Sequence, residues 1–274
     1  MKPEITLGLP TYKGSLHIKE SLESIVNQTF RNFHLIISIN GIDEDTHIIC
    51  CEFAKNDSRI KIVNNQRVLS IWENWTVPIT QCTTEMFMWV SDDDILPPDY
   101  LDNIYRIFLE NNSKALVYGK FVEFEKFPQS TNHKGNGLIY NFLGNSLFRK
   151  LKFLLLDPGY GKVNGLYGLG KIEWFQYAIN LNTNKSEIYD VGFLFDILDV
   201  CEIRFSDNSH FRRKFIREIV DKNWSINDLY IFSDLNAFNL TIKNSKLKIR
   251  LLCYLFFPIV ISRSILKTSF HLIK

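Results

Sequence analysis

The stretch MFMWVSDDDILPPDY, Met86 to Tyr100, decides how the chain is read. Its first part is apolar and suits a pleated, buried strand. Three consecutive aspartates, Asp92, Asp93 and Asp94, stand where that strand ends. Ile95 and Leu96 turn apolar again, and Pro97 and Pro98 precede a helical pattern through about Leu109, as proline suits a first helical turn. Three adjacent carboxylates repel one another and raise each other's proton affinity. A solvated turn before a helix relieves part of the conflict, because acids favour a helix N-terminus. A divalent cation relieves more: Mg²⁺ or Mn²⁺ takes one or two carboxylates together with water and phosphate oxygens. The elements around the stretch decide between the two.

Working outward, strand-like and helix-like patterns alternate over the first ~125 residues. Strands are predicted over Glu4–Tyr12, His34–Asn40, Arg59–Asn65, Glu85–Ser91 and Lys114–Phe124. Between them, the apolar positions Leu16, Ile18, Leu22, Ile25 and Val26 share a helical face. Helices are also predicted over Asp45–Lys55 and over Ser70–Cys82, where Pro78 bends the axis. This β-α-β-α order predicts an α/β fold with a mainly parallel sheet and flanking helices. Ligands of such sheets bind beyond the carboxyl ends of the strands. Those ends carry Pro10, Thr11 and Tyr12, then Asn40 and Gly41, then Asn64 and Asn65, and finally Ser91 and the three aspartates.

The composition supports a folded, well-filled body: 274 residues, 46% hydrophobic and 14% aromatic. Five cysteines lack a CxxC pattern, which favours a reducing compartment. Lys2 and Glu4 run straight into a strand pattern, so no secretory leader is expected. No GxxxxGK[ST] loop is present, no GxGxxG follows a strand, and no serine or cysteine catalytic constellation stands out. The net charge of +2 is uneven: seven basic residues and no acid follow Asp234, which leaves the rest at −5. No nucleic-acid partner is expected.

Four segments carry a family resemblance: GLPTYKG (Gly8–Gly14), SINGIDEDT (Ser38–Thr46), NNQRVLSIWENW (Asn64–Trp75) and SDDDILPPDYL (Ser91–Leu101). In order and spacing they resemble a family 2 glycosyltransferase with the GT-A fold. The resemblance implies that Pro10, Thr11 and Tyr12 line the nucleotide base and that Asn40 sits near base or ribose. It implies that the aspartates form the DxD-type motif for the metal and the sugar-nucleotide diphosphate. With Ser91 in the first place of that motif, Asp93 is the metal ligand; with Asp92 there, Asp94 is. The preferred assignment is Asp93 with Asp94 in support, and Asp92 on the donor. Asn74 is placed to reach the nucleotide and Arg67 to meet a phosphate, while Trp75 fits core packing. One departure is Ile39, which stands where the family commonly carries an acid.

The second half is less regular. Residues 127–137 read as a loop, and Gly159–Lys171 holds five of the 13 glycines, a density expected where backbone approaches a ligand or bends sharply. An inverting sugar transfer needs a base for the acceptor hydroxyl. Glu187–Ile203 offers Asp190, Asp196 and Asp199 within an apolar helical run, and Glu173 is a weaker candidate. The resemblance points to Asp190, an acid at the start of that helix; an N-cap alone would also explain it. Asp196 and Asp199 are expected to face solvent or a salt bridge. The run SDNSHFRRKF (Ser206–Phe215) brings His210, Arg212 and Arg213, suited either to a diphosphate or to a solvated basic loop.

The tail has eleven apolar residues, Leu251–Ile261, between basic flanks. A spanning helix needs about 20, so an in-plane helical membrane anchor is expected. The organisation expected is a nucleotide-sugar half (1–125), an acceptor half (126–234) and a basic amphipathic helical tail (235–274). The expected activity is transfer of a sugar from a UDP-linked donor, with Mg²⁺ or Mn²⁺, to a lipid-linked saccharide. The expected setting is the cytoplasmic face of a bacterial membrane, in O-antigen or capsule assembly. A sugar-phosphate nucleotidyltransferase and a non-catalytic nucleotide-sugar-binding subunit are the alternatives.

Overall fold

A computed structural model describes residues 4–124, 140–155, 163–181 and 190–213. Its first half runs β1 (Ile5–Thr11), α1 (Ile18–Val26), β2 (Phe33–Ile39), α2 (Glu44–Asn56), β3 (Ile60–Asn64), α3 (Ile71–Thr80), β4 (Met86–Trp89) and α4 (Tyr100–Glu110). The second half adds β5 (Ala115–Phe124), α5 (Ser146–Leu155), a 3₁₀ turn (Val163–Tyr167), β6 (Gly170–Lys171), α6 (Ile172–Asn180), α7 (Asp190–Ile197) and β7 (Glu202–Arg213).

Every residue of β1 is buried, as a central strand covered on both faces requires. Local chemistry sets the helix starts. The Asp43 side chain accepts from the Thr46 amide ahead of α2. Ser70 and Glu73 form a reciprocal capping box at α3.

The main sheet has the order β3-β2-β1-β4-β6. β1 is parallel to β2 and β4, and β2 is parallel to β3. Only β6 is antiparallel, with Met86 opposite Lys171. The predicted fifth strand does not join this sheet. β5 pairs in parallel with β7 in a separate two-stranded sheet, because β6 occupies the edge beside β4. Leu169 couples the two sheets through mutual backbone bonds with Val117 of 2.8 and 2.9 Å. The glycine-rich stretch makes this possible: a Cβ on Gly168 would lie 2.0 Å from Leu116 Cδ2. The close approach at Gly168 is to a strand of the protein itself.

One core cluster runs from Ile5 to Ile203, so both halves share it. At its centre the buried Trp89 ring meets Trp72, Trp75, Phe87, Phe175 and Phe193 at centroid distances of 5.2 to 5.9 Å. Trp89 Nε1 donates to the Trp75 carbonyl at 3.0 Å. Trp75 is thus a packing residue, as its burial habit suggested. A smaller cluster of Ile95, Val122, Phe124 and Phe211 packs next to the aspartates.

The loop at 127–137 and the tail at 235–274, with its expected anchor, lie outside the described residues. Among the described residues no helix is long and apolar enough to cross a membrane.

Candidate active site

Strand order reverses at β1: β2 and β3 lie on one side of it and β4 on the other. The crevice beyond the carboxyl ends of β1 and β4 is therefore the place where such a sheet takes a ligand. Thr11 ends β1 and Asp92 follows β4, and the Thr11 hydroxyl donates to Asp92 Oδ2 at 2.5 Å across that crevice. Gly14 closes over the pair. A Cβ there would stand 2.2 Å from Thr11 Oγ1 and 2.7 Å from Asp92 Oδ2.

Burial pushes the Asp92 carboxyl up to about 6, with the Thr11 hydrogen bond opposing and the Asp93 charge adding to the rise. Asp93 is also raised, by burial first and the Asp94 charge second. The Ser91 hydroxyl donates to Asp93 Oδ1. Partly desolvated, mutually repelling carboxylates are hard oxygen donors whose conflict a divalent cation would relieve. Among the described residues no three His, Cys, Asp or Glu side chains converge as a full cage. A Mg²⁺ or Mn²⁺ that keeps water and phosphate oxygens needs only one or two carboxylates.

Asp94 has a different environment. It is buried; its Oδ2 lies 3.0 Å from His210 Nε2 and its Oδ1 accepts from the Arg213 amide at 3.1 Å. His210, Arg212 and Arg213 thus lie in strand β7 and not in a solvated loop. The Arg213 side chain donates to the Asp93 carbonyl at 3.3 Å and pairs with Glu20 of α1. Arg212 stacks over the Phe121 ring at 4.2 Å and donates to Asn164.

Other predicted residues divide into those at the rim and those used internally. Pro10 is buried in β1, while Tyr12 is half exposed beyond it. The Asn40 amide is spent on Leu69, accepting from its N–H at 2.7 Å and donating to its carbonyl at 3.0 Å. Asn74 accepts from Ser38 at 2.6 Å and donates to the Thr11 carbonyl at 3.2 Å, which ties α3 to the end of β1. Arg67 is exposed and pairs with Glu73 at 3.1 Å. Ile39, in the acid's place, is fully buried. Tyr12, Leu16, Ile42, Val68 and Ile71 are each more than half exposed, which gives the first three loops of this edge an apolar rim.

Asp190 opens α7, and its side chain lies outside the described residues. Three residues on, Phe193 packs on Trp89 at 5.2 Å and Trp72 at 5.1 Å, so α7 leans on the strand that leads into the aspartates. Asp199 is bound by the buried Lys150 at 2.6 Å, as a salt bridge was expected there. Asp196 is buried instead of facing solvent. Glu173 follows Lys171, which pairs with Met86 at the start of β4, the end of the sheet opposite the aspartates.

Sequence reasoning missed the residues on α1 and just past its C-terminus that hold the turn. Ser21 donates to the Ser91 carbonyl at 2.7 Å, and Ser24 accepts from the Leu96 amide at 3.2 Å. Gln28 donates to the Pro97 carbonyl at 2.7 Å and accepts from the Leu101 amide at 3.0 Å. Their i, i+3, i+7 spacing along one helical stripe was the available signal. His17 is a second omission. Burial and the Arg213 charge hold its imidazole below the usual range, against the pull of Asp93 and Glu20.

The parallel sheet, its flanking helices and the crevice at β1 and β4 define a GT-A fold. Staphylococcus aureus TarS, residues 1–349, has a similar fold: TM-score 0.59 at 15% identity, covering 88% of this chain and 65% of that one. The same TarS fragment in complex with UDP-GlcNAc gives a TM-score of 0.57 over 88% of this chain and 66% of that one, also at 15% identity. The family model "Glycosyl transferase family 2" matches residues 6–167, more than half of the chain, and the chain belongs to that family. Among relatives, a Campylobacter jejuni GalNAc(5)-diNAcBac-PP-undecaprenol beta-1,3-glucosyltransferase is 26% identical over 137 residues, 50% of this chain and 44% of that protein. The glycosyltransferase GlyA of Streptococcus pneumoniae is 25% identical over 150 residues, 54% of this chain and 20% of that protein. The chain thus spans less than half the length of these relatives.

Proposed function

We propose that the chain is a metal-dependent, inverting glycosyltransferase that moves a sugar from a UDP-linked donor to a hydroxyl of a lipid-linked saccharide. The observation that carries this reading is the Thr11–Asp92 contact at 2.5 Å, which sets a carboxylate cluster in the crevice where the strand order reverses. The donor diphosphate would lie over Asp93, with Asp92 beside it on the donor. Asp93, backed by Asp92, would hold Mg²⁺ or Mn²⁺; both Asp94 oxygens are already engaged by β7. When bound, the cation supplies charge stabilisation for the departing diphosphate. The exposed Tyr12 and its apolar neighbours offer the base a surface. Asp190 would take the proton of the acceptor hydroxyl as its oxygen bonds to the anomeric carbon and the bond to the diphosphate breaks.

The name of the C. jejuni relative supports a lipid-linked acceptor, and the basic tail suits the inner face of a membrane in surface polysaccharide assembly. A non-catalytic binding subunit is the second reading, favoured by the buried Ile39. Calorimetric titration of nucleotide sugars with and without Mn²⁺ tests the first. Metal-dependent binding of a UDP-sugar is expected, and binding of none would refute it. Asp190→Asn should abolish turnover and spare donor binding; undiminished turnover would move the base elsewhere.

A further inference from the structure

Two observations set His210 apart from a phosphate-gripping residue. It is fully buried, stacked on Phe121 at 4.1 Å and 23°, with Tyr100 and Tyr167 edge-on at 5.6 and 5.8 Å. Its only polar contact among the described residues is Nε2 to Asp94 Oδ2 at 3.0 Å, while Nδ1 is buried without a partner. An orphaned buried nitrogen costs free energy that a phenylalanine in the same stack would not. Packing therefore does not account for the imidazole; the bond to Asp94 does.

Asp94 needs that bond because it sits beside Asp93 in a poorly solvated turn. A carboxylate oxygen only accepts, so Nε2 carries the proton of this bond. Next to it, Ile95 and Phe211 exchange backbone bonds of 2.8 and 2.9 Å. The Arg213 amide holds the other Asp94 oxygen. Strand β7 thereby engages both oxygens of the third carboxylate, while the Asp93 carboxylate takes its hydrogen bond from Ser91.

We infer that His210 is a positioning residue that acts through Asp94: it presets the aspartate turn for a cation and a diphosphate without touching either. This rests on the donor-binding role proposed above. Without the His210 donor, Asp94 is a buried carboxylate with half its partners, free to swing toward Asp93 and disturb the site.

The test uses the full chain and Mn²⁺-dependent binding of UDP, with thermal unfolding run in parallel. His210→Phe keeps the stack and removes the donor. It should weaken UDP binding about tenfold or more, the usual scale for a group that orients a metal site, with no matching loss of thermal midpoint. His210→Gln returns an N–H at the Nε2 position and should recover affinity to within about threefold of the parent, whereas His210→Asn, with its N–H at the Nδ1 position, should not. Asp94→Ala combined with His210→Phe should bind no worse than Asp94→Ala alone, because residues acting through one another are not additive. Parent-like binding by His210→Phe, equal failure of the Gln and Asn variants, or additive losses in the double variant would each overturn the assignment. If His210→Phe does not fold, the Gln and Asn pair decides. A parent chain with no Mn²⁺-dependent UDP binding would instead refute the donor-binding role, and this assignment with it.

Discussion

The turn from Ser91 to Ile95 is held from two sides by different chemistry. On the α1 side, neutral hydroxyl and amide groups of Ser21, Ser24 and Gln28 reach backbone atoms of Ser91 and Leu96 to Leu101. On the β7 side, His210 and the Arg213 amide reach the Asp94 carboxylate itself. Backbone satisfaction by neutral groups sets where the chain runs and contributes to stability. Charge-assisted bonds to a carboxylate set which oxygens face the crevice. Damage on the α1 side should thus register first in stability, and damage on the β7 side first in ligand affinity.

The sharpest challenge to that division is Gln28→Ala. Gln28 is fully buried, and α4 has no capping side chain of its own; Gln28 Oε1 meets the Leu101 amide there. The substitution strands that amide, leaves the Pro97 carbonyl with the Tyr100 amide alone and opens a void. It should cost about 3 kcal/mol, read by denaturant unfolding. UDP affinity of the folded fraction should stay near the parent value. Unchanged stability with lost affinity would reverse the roles of the two sides.

The next effect is one of pH. In the fold Asp92 keeps its proton up to about 6, against 3.8 as its ordinary value. Between those values the folded state binds more protons than the unfolded one. The stabilisation is complete below the ordinary value and is lost as pH rises through about 6. Asp93 moves in the same direction. The metal-free chain should therefore lose about 2 kcal/mol from this turn on going from pH 4 to 7, a contribution best isolated by comparison with Asp92→Asn. Mn²⁺ should raise the thermal midpoint more at pH 7 than at pH 5, because it binds the ionised carboxylates. A metal-induced gain that does not change with pH would place the cation elsewhere.

The two sides also differ in how legible they are. Strands β1 to β4 and the residues at their ends follow from local periodicity, because a buried parallel strand is a short apolar run with a turn at its carboxyl end. The His210–Asp94 contact joins positions 116 apart, and no local pattern announces such a pairing. β7 was hidden for a further reason. Its polar Ser206, Asp207 and Asn208 fall in the register shift between the Tyr118–Phe205 and Lys120–Ser209 pairs, which breaks the period of two that marks a strand. Asn40 and Asn74 were legible as positions but not as roles, since an amide at a strand end serves a ligand or a loop equally well. The edge place of β6 follows from a two-residue pairing that only tertiary packing selects.

Gly14→Ala tests the crevice itself, where the two sides converge. The new methyl would press on Thr11 Oγ1 and Asp92 Oδ2, so one of the two must move. Overpacking of this size costs about 1 to 2 kcal/mol, the smallest stability change of the three. Its more telling consequence lies in the titration. The Thr11 hydrogen bond opposes the burial that raises Asp92, and its loss should move the Asp92 midpoint to higher pH. Carboxyl-selective NMR would read that shift directly. An Asp92 midpoint that stays at about 6 in the variant would mean that the Thr11 contact does not govern the charge in the crevice.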